Sequence, residues 1–502
     1  MSEENGKELP EGWTTTPFLA VTSHHSGDST IIKGRLSTEE SPHSFPAFSA
    51  TGQDVWRDEY ADEGDAIIVS AVGARCGKCF LAFGKWSAIA NTHVVWPESG
   101  GVHTRFLWYR LNDERFWVRS GTAQPFVVVR KTLERPFDLP PLPEQTRIAD
   151  KLDELFSDLD AGVAALEGVR GKLKRYRAAV LKAAVEGALT ARWRAENPAA
   201  ETADALLTRI LAERRRRWEE TQLQKFADQG KPPPKNWKTK YKQPAAPDTT
   251  NLPPLPEGWC WATVEQLSIE VRNGYSTKPD ASNGVPILRI SSVRPFSLDL
   301  TDRRFLSGTA ADYENDQIET GDLLFTRYNG SRNLVGVCAV VPTIEERIVH
   351  PDKLIRARPV SSEFSSHFTG LAANVGLSRK YIEQRIRTTA GQAGISGGDV
   401  RSLPIPLPPL AEQTAIVEAV EAQLSVIDRL EADLDAKLKS AQALRQSILR
   451  DAFAGRLVPQ DPADEPASEL LKRIAAEREE RARSIKAAKS PKLSRRKYSV
   501  NP

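Results

Sequence analysis

Two long stretches of the chain place apolar residues seven apart. In the first, Leu152, Leu159, Leu166, Leu173 and Val180 hold one position, and Ile148, Leu155, Val169, Tyr176 and Ala183 a second, with a gap at Gly162. In the other, Val420, Ile427, Leu434, Ala441 and Ile448 repeat the first row, with Ile416, Leu430 and Leu444 alongside. Spacing of this kind over about five heptads predicts a coiled-coil seam rather than a helix lying on one small domain. Each helix follows a proline-rich stretch, DLPPL in the first copy and PLPPL in the second, starting near Glu144 in the first copy, and ends near Gly187 or Gly455, where glycine suits a helix C-cap. About 44 residues of helix reach roughly 65 Å at about 1.5 Å per residue. A lone helix would expose its stripe, so the two are expected to pair, antiparallel if the chain between them folds back; the alternative is two separate helices, each packed on its own domain. A charged helix follows each: residues 205–225, with Arg214, Arg215, Arg216 and Arg217 in a row, and residues 467–488. Residues 230–254, rich in Pro, Lys and Thr, read as an extended linker without a packed core, and Lys486 to Lys497 as a basic tail.

The heptads belong to a larger repeat. LPEGW stands at Leu9–Trp13 and again at Leu255–Trp259. DLPPLPEQTRIADKLDELF (Asp138–Phe156) returns as PLPPLAEQTAIVEAVEAQL (Pro406–Leu424), and LLTRILAER (Leu206–Arg214) as LLKRIAAER (Leu470–Arg478). The blocks between, about 14–137 and 260–402, show little likeness to each other: two unlike modules in two equivalent frames. The division is 1–13, a first module over 14–143, helical frame over 144–225, linker 226–254, a second module over 255–410, helix 411–457, and charged helix with tail over 458–502. Trp13 and Trp259, at equivalent positions, are expected to pack where module meets helix.

Composition adds bounds. A length of 502 residues calls for more than one globular unit, and a net charge of +3 is too mild to mark a nucleic-acid binder by itself. No apolar run approaches the roughly 20 residues that cross a bilayer. The acidic N-terminus is unlike a secretory signal, and four cysteines in such a chain argue for a reducing cytoplasm over a disulfide framework.

The order LPEGW, variable module, LPPLxEQ, long helix, glycine, given twice over nearly the whole chain, resembles the specificity subunits of Type I restriction–modification systems. Phe45–Lys78 and Gly321–Gly336 resemble their target-recognition domains; Ser120–Leu142 and Thr389–Leu410 resemble the stretch leading out of one. The resemblance implies an α/β (α+β) fold: two globular target-recognition domains separated by a long antiparallel two-helix coiled coil, as a pseudo-two-fold tandem repeat. It implies that each module reads half of an interrupted site in double-stranded DNA, that two methyltransferase subunits grip the helical frames, and that a restriction and motor subunit joins them. S-adenosylmethionine and ATP would then sit only on those partners. The Cys76-Gly-Lys-Cys79 of module one belongs to no pattern that carries over.

Duplex DNA is held by phosphate contacts and read at base edges, from Lys, Arg, Asn, Gln, Ser and Thr on loops and helix ends. The candidates in module one are Thr51, Gln53, Arg75, Lys78, Asn91, Thr92 and His93. In module two they are Ser276 and Lys278 after an Asn273-Gly274 turn, Arg289, Ser291, Lys353, and the burst Arg327, Tyr328, Asn329, Ser331, Arg332 and Asn333 after a short apolar strand. The plain alternative for any of them is a solvated loop. No catalytic residue is expected: Asn197-Pro198-Ala199 is not the Asn-Pro-Pro-aromatic motif of amino-methyltransferases, and no GxxxxGK[ST] phosphate loop occurs. No metal site is expected either; Cys76 and Cys79 are a lone pair that His93 and His103 could complete, but loop cysteines are the simpler reading. A coiled-coil adaptor that binds proteins and no DNA remains the competing class. It would not need unlike modules in like frames.

Overall fold

The structure, a computed structural model, describes residues 9–98, 100–361, 364–389 and 392–488. Beyond residue 488 the expected basic tail lies outside the described residues, as do the first eight residues and Ala390 of the second exit stretch. The chain divides into two compact units, Met1–Glu167 with Asp435–Pro502, and Gly168–Leu434.

The helices that position the rest are α1 (Thr104–Leu111), α2 (Leu142–Val185), α3 (Ala203–Asp228), α4 (Ser366–Asn374), α5 (Leu410–Ala452) and α6 (Ala467–Ala488). The long helices α2 and α5, of 44 and 43 residues, each begin beside prolines with a glutamate in the first turn, where a negative charge meets the free N–H groups. Both stop at a glycine in the left-handed region, Gly187 at φ +73° and Gly455 at φ +70°. In the first unit Ile148, Leu152 and Phe156 of α2 share a core with Ile448 and Leu449 of α5 and with Phe453 just after it, and Asp160 pairs with Arg445. In the second unit Leu181 and Val185 share a core with Ile416 and Val420, and Arg177 pairs with Glu431 at 3.0 Å. The start of one helix meets the end of the other in both units, so the pairing is antiparallel.

The first heptad row faces inward: Leu152, Val180, Val420, Ile427 and Leu434 are buried, and Leu159, Leu166, Leu173 and Ile448 half-buried. The second row departs from expectation. Ile148 and Ile416 are buried, but Val169, Tyr176, Leu430 and Leu444 are 42–51% exposed. Heptad spacing says which residues share a stripe, not what the partner sets against them. Here the Tyr176 hydroxyl donates to Gln423 at 2.9 Å and Arg177 takes acidic partners, so polar contacts replace a second apolar row.

The repeated signatures meet at the start of each long helix. Trp13 Nε1 donates to Glu144 at 3.0 Å, and Trp259 Nε1 to Glu412 at 2.8 Å. The following glutamines reach both ways. Gln145 donates to the Pro140 carbonyl at 2.9 Å and accepts the His103 N–H at 2.9 Å; Gln413 donates to Pro408 at 2.8 Å and accepts the Ser365 N–H at 2.7 Å. His103 and Ser365 are the N-caps of α1 and α4, so module and frame are joined at one point in each unit. The joints differ in charge. Glu412 also accepts Thr190 Oγ1 at 2.7 Å and Arg194 Nε at 3.0 Å, whereas Glu144 Oε1 has no hydrogen-bond partner among the described residues. Burial pushes the Glu144 carboxyl above its ordinary range, against the pull of the Trp13 hydrogen bond and of Arg147.

The modules, expected to be unlike, share one scaffold. The first holds β1 (Thr22–Ser26), β2 (Ala66–Ser70), β3 (Cys79–Ala82) and β4 (Thr92–Pro97) in the antiparallel order β1-β4-β2-β3. The second holds β5 (Ser268–Asn273), β6 (Leu323–Thr326), β7 (Cys338–Val340) and β8 (Leu354–Pro359) in the order β5-β8-β6-β7. Asn112, after α1, accepts the Cys79 N–H at 3.1 Å; Asn374, ending α4, accepts that of Cys338 at 2.9 Å. Gly77 N–H bonds the Ser70 carbonyl and Gly336 N–H that of Thr326, each at 2.8 Å. A Cβ on Gly77 would lie 2.8 Å from the Trp117 ring, and one on Gly336 2.4 Å from Ile382, so neither position tolerates a side chain.

The linker reading fails in part. Trp237, only 9% exposed, stacks on Trp218 of α3 at 5.9 Å, and Tyr241 meets the same ring edge-on at 5.3 Å. Two aromatic residues within the Lys/Pro-rich stretch find partners on α3, which composition does not reveal.

The unequal joints predict unequal responses to pH. A carboxyl whose folded pKa is raised contributes stability below its unfolded pKa and loses it as pH rises through the folded value. Carboxyls held low, such as Asp54 and Asp113, make the thermal midpoint rise with pH, and Glu144 adds a downward slope as pH climbs out of the ordinary carboxylate range. Glu144→Gln should remove that downward slope. Glu412→Gln should destabilise instead, because Arg194 loses its anion. Matching slopes for the wild type and Glu144→Gln in a pH series of melting curves would refute this account of the joint.

Candidate nucleic-acid interface

Antiparallel register brings the module loops to one end of each sheet. In the first module Ser26 ends β1, Ser70 ends β2, Cys79 begins β3 and Thr92 begins β4, and all four lie at the same edge. The Ala71 N–H donates to the Asn91 carbonyl at 2.9 Å and the Gly27 N–H to that of Thr92 at 2.9 Å. The hairpin Phe45–Ser49/Gly52–Arg57 joins this edge where Ile89 N–H meets the Phe48 carbonyl at 3.0 Å. Thr51, Arg75, Lys78 and Asn91 therefore share one loop cluster, with Gln53 on the adjoining strand.

Their availability differs. Gln53, Arg75 and Asn91 are exposed. Asn91 takes the left-handed region at φ +65°, a turn position that Asn tolerates. The Thr51 hydroxyl bonds Asp54 and Ser49 and receives Lys33 Nζ at 2.8 Å, so Lys33 joins the cluster although no sequence pattern singled it out. Lys78 lies over the Phe80 ring at 5.3 Å. Thr92 is a correction: it is 2% exposed and its hydroxyl donates to the Ile89 carbonyl, which makes it a turn residue. His93, half-buried, bonds Ser26 through Nδ1 at 3.3 Å, and burial holds its imidazole below its ordinary pKa.

Cys76 lies in the turn between β2 and β3, and Cys79 begins β3. Cys76 and Cys79 are buried, and the Cys79 thiol donates to the Leu111 carbonyl at 3.3 Å. Burial pushes the Cys79 thiol up, away from the thiolate. Its place in the sheet is that of Cys338. His103 caps α1 instead of joining them, and among the described residues no group of three His, Cys, Asp or Glu could hold a metal.

The second module gathers more. Asn273 ends β5, Thr326 ends β6, Cys338 begins β7 and Leu354 begins β8 at a common edge. Ser276, Lys278, Arg289, Ser291 and Lys353 line one groove of about 500 Å³, with Tyr275 and Arg304. Five residues chosen from separate parts of the sequence thus converge. Arg289 pairs with Asp302 at 2.9 Å, and Ser291 Oγ is buried without a hydrogen-bond partner among the described residues. Asn273 ends β5 and Gly274 follows it without a turn; a Cβ on Gly274 would lie 1.9 Å from the His350 carbonyl, so glycine is needed there for close approach. His350 is fully buried with Nδ1 2.6 Å from the Asp316 carbonyl. Burial, and then Arg356, hold its pKa down to about 3, so it adds no charge beneath the groove.

The Arg327–Asn333 burst is partly committed within the chain. Arg327 is half-buried, lies over the Tyr328 ring at 4.7 Å and donates to the Asp352 carbonyl at 3.3 Å. Asn329 accepts the Ser331 N–H at 2.9 Å, and Arg332 reaches the Glu383 carbonyl at 3.3 Å. Ser331, Arg332 and Asn333 are exposed. The Arg327 N–H bonds the Lys353 carbonyl at 2.8 Å, which sets this loop against the groove. Tyr275 and Arg304 are not among the candidates named from the sequence; Tyr275 stands next to Ser276, and no pattern in the sequence points to Arg304.

No family model matches the chain. It is 34% identical over 350 residues to the Type I restriction enzyme EcoKI specificity subunit of Escherichia coli K12, covering 68% of this chain and 63% of that one. The chain thus spans 63% of the length of that relative. It is 23% identical over 491 residues to the EcoDI specificity subunit of Escherichia coli, covering 94% and 96% of the two. A solved structure on complex assembly and conformational transition of the type I R-M system shares the fold, at TM-score 0.54 and 15% identity, over 90% of this chain and all of that one.

Proposed function

This chain belongs to the specificity subunits of Type I restriction–modification systems, and on that premise we propose that it is a non-catalytic reader of double-stranded DNA. Each module reads one half of an interrupted site. The convergence of Ser276, Lys278, Arg289, Ser291 and Lys353 on one groove carries this reading. Cations there suit phosphates, and hydroxyl and guanidinium groups suit base edges. The like sheets with unlike loops support it further, since two half-sites of different sequence ask for the same platform and different contacts. The paired helices dock two methyltransferase subunits, a restriction and motor subunit completes the complex, and its place is the cytoplasm. Among the described residues no helix is long and apolar enough to cross a membrane.

Three measurements test the proposal. Lys278→Ala and Lys353→Ala should each make the salt dependence of DNA binding by the assembled complex shallower by about one unit of logarithmic slope if they meet phosphates. Loss of discrimination at one base position would instead assign a base contact, and no change in either returns both lysines to solvent. Exchanging residues 14–137 for another such module should alter one half of the methylated site and leave the other intact, and a change in both halves would exclude independent reading. S-adenosylmethionine and ATP belong to the partner subunits in this scheme, so calorimetric titration of the isolated chain with either should give no binding heat.

A further inference from the structure

Because the units share a scaffold, each is a template for what the other lacks. Helices α1 and α4 align by their N-caps His103 and Ser365, by the fully buried Phe106 and Phe368, and by Asn112 and Asn374. That register makes Gly370 the counterpart of Trp108, His367 of Arg105 and Leu371 of Tyr109. Aligning the long helices on Glu144 and Glu412 makes Glu421 the counterpart of Asp153 and Leu424 that of Phe156.

In the first unit this corner is filled from within. Trp108 Nε1 donates to the Cys79 carbonyl at 3.1 Å. Tyr109 packs edge-on to Phe156 at 5.5 Å, and the Tyr109 hydroxyl and the Arg105 guanidinium both bond Asp153. In the second unit the counterparts are smaller, and a groove of about 420 Å³ remains. Leu181, Leu371, Val417 and Leu424 wall it, with His367 and Glu421 among its polar lining. Glu421 is exposed and makes no ion pair among the described residues, whereas Asp153 is paired. Over the groove stands Phe296, 46% exposed and at φ +64°. Its N–H donates to the Cys338 carbonyl at 3.2 Å, the counterpart of the carbonyl that Trp108 holds in the first unit. A bulky aromatic residue at a positive φ is strained, so the tip is held in place by its surroundings.

We propose that this groove docks a segment of a partner protein that presents an aromatic side chain beside a basic one, and that one such segment binds per chain. The chemistry is read from the first unit, where an aromatic ring and a guanidinium against a carboxylate fill the same corner. The unpaired Glu421 supplies the complementary charge. The count follows because Trp108, Tyr109 and Arg105 fill the equivalent corner of the first unit. The proposal rests on the chain acting as a subunit of a complex but not on DNA reading, and site-specific methylation, followed in parallel, reports on that reading separately.

Tryptamine, an indole bearing an ammonium group, is the probe. Titration calorimetry of the full chain should show it binding with one site. Indole-3-acetate, with its charge reversed, should bind roughly tenfold more weakly or not at all. Glu421→Gln should weaken tryptamine a few-fold, as expected for an exposed ion pair. Leu371→Tyr, which fills the groove as Tyr109 does, should weaken it by roughly tenfold or more. If that variant fails to fold, the surface change Glu421→Gln still decides the charge. A photoreactive benzoylphenylalanine at Ser297 on the groove wall, in the complex assembled with its methyltransferase subunits, should crosslink to one partner peptide that has an aromatic residue next to Lys or Arg. No tryptamine binding, or equal binding by both variants, overturns the site. A crosslink confined to this chain or to DNA overturns the protein partner.

Discussion

A buried carboxylate in the first turn of each long helix is the constraint on which the architecture hangs. A carboxylate removed from water must be hydrogen-bonded, or it destabilises whatever surrounds it. Here an indole N–H bonds one oxygen of each, from Trp13 at Glu144 and from Trp259 at Glu412. That requirement brings each LPEGW turn to the start of a long helix. The adjacent glutamine then fixes the module, accepting the first N–H of the module's own helix while donating to the proline stretch. Glu and Gln side by side thus join four pieces of chain in each unit. No apolar pair could do this, because burial alone does not set direction.

This explains what was legible in the sequence. The frame could be read because its joints depend on particular chemical groups, and so Trp, Glu, Gln, Pro and Gly recur at matched places. The modules could not be seen as alike, because a strand such as Ala66–Ser70 needs apolar character and not identity, and Leu323–Thr326 meets the same need with other residues. A cue was present: Gly64-Asp65 followed by Gly77-Lys78-Cys79, against Gly321-Asp322 followed by Gly336-Val337-Cys338. Loops of different length between these marks hid the match. The second heptad row misled for another reason. Periodicity records a stripe on one helix, and whether Tyr176 is covered depends on Gln423, far away in the chain. Thr92 and Arg327 show the same limit at the site. Composition gives the donors, but only the fold shows that the Thr92 hydroxyl and one Arg327 N–H are already committed.

The loops at the sheet end combine firm support with free side chains. In the second module Arg379 and Thr326 hold the loop carbonyls of Asn333, Val335 and Leu334 through their side chains, but in both modules part of the support is backbone to backbone: Ala71 to Asn91 in one, Arg327 to Lys353 in the other. Such bonds do not depend on side-chain identity, so residues 71–76 and 327–335 can differ in length and chemistry above the same sheet. The positions that cannot vary are those where another group closes on the backbone, as the His350 carbonyl does on Gly274. A recognition surface of this kind separates the residues that hold the fold from those that meet a ligand, and the separation is set by hydrogen-bond type.

The likeness of the frames also makes their differences meaningful. Glu412 is held by an indole, a hydroxyl and a guanidinium, while Glu144 has the indole and an oxygen without a partner among the described residues. An unsatisfied buried acceptor costs on the order of 1–3 kcal/mol. The first joint is therefore the weaker of the two, although the backbone around it is arranged alike. Local opening draws on the least stable contacts, so the LPEGW turn at Trp13 should loosen before the one at Trp259. What it releases is specific: the Gly12 carbonyl caps Ala467 at 2.9 Å, as the Gly258 carbonyl caps Ala203 at 2.9 Å. Loosening the first joint would free the start of α6, while the start of α3 stays anchored. Two frames of the same geometry would then differ in stiffness, and that difference comes from Thr190 and Arg194, whose counterparts in the first frame are Val458 and Pro462.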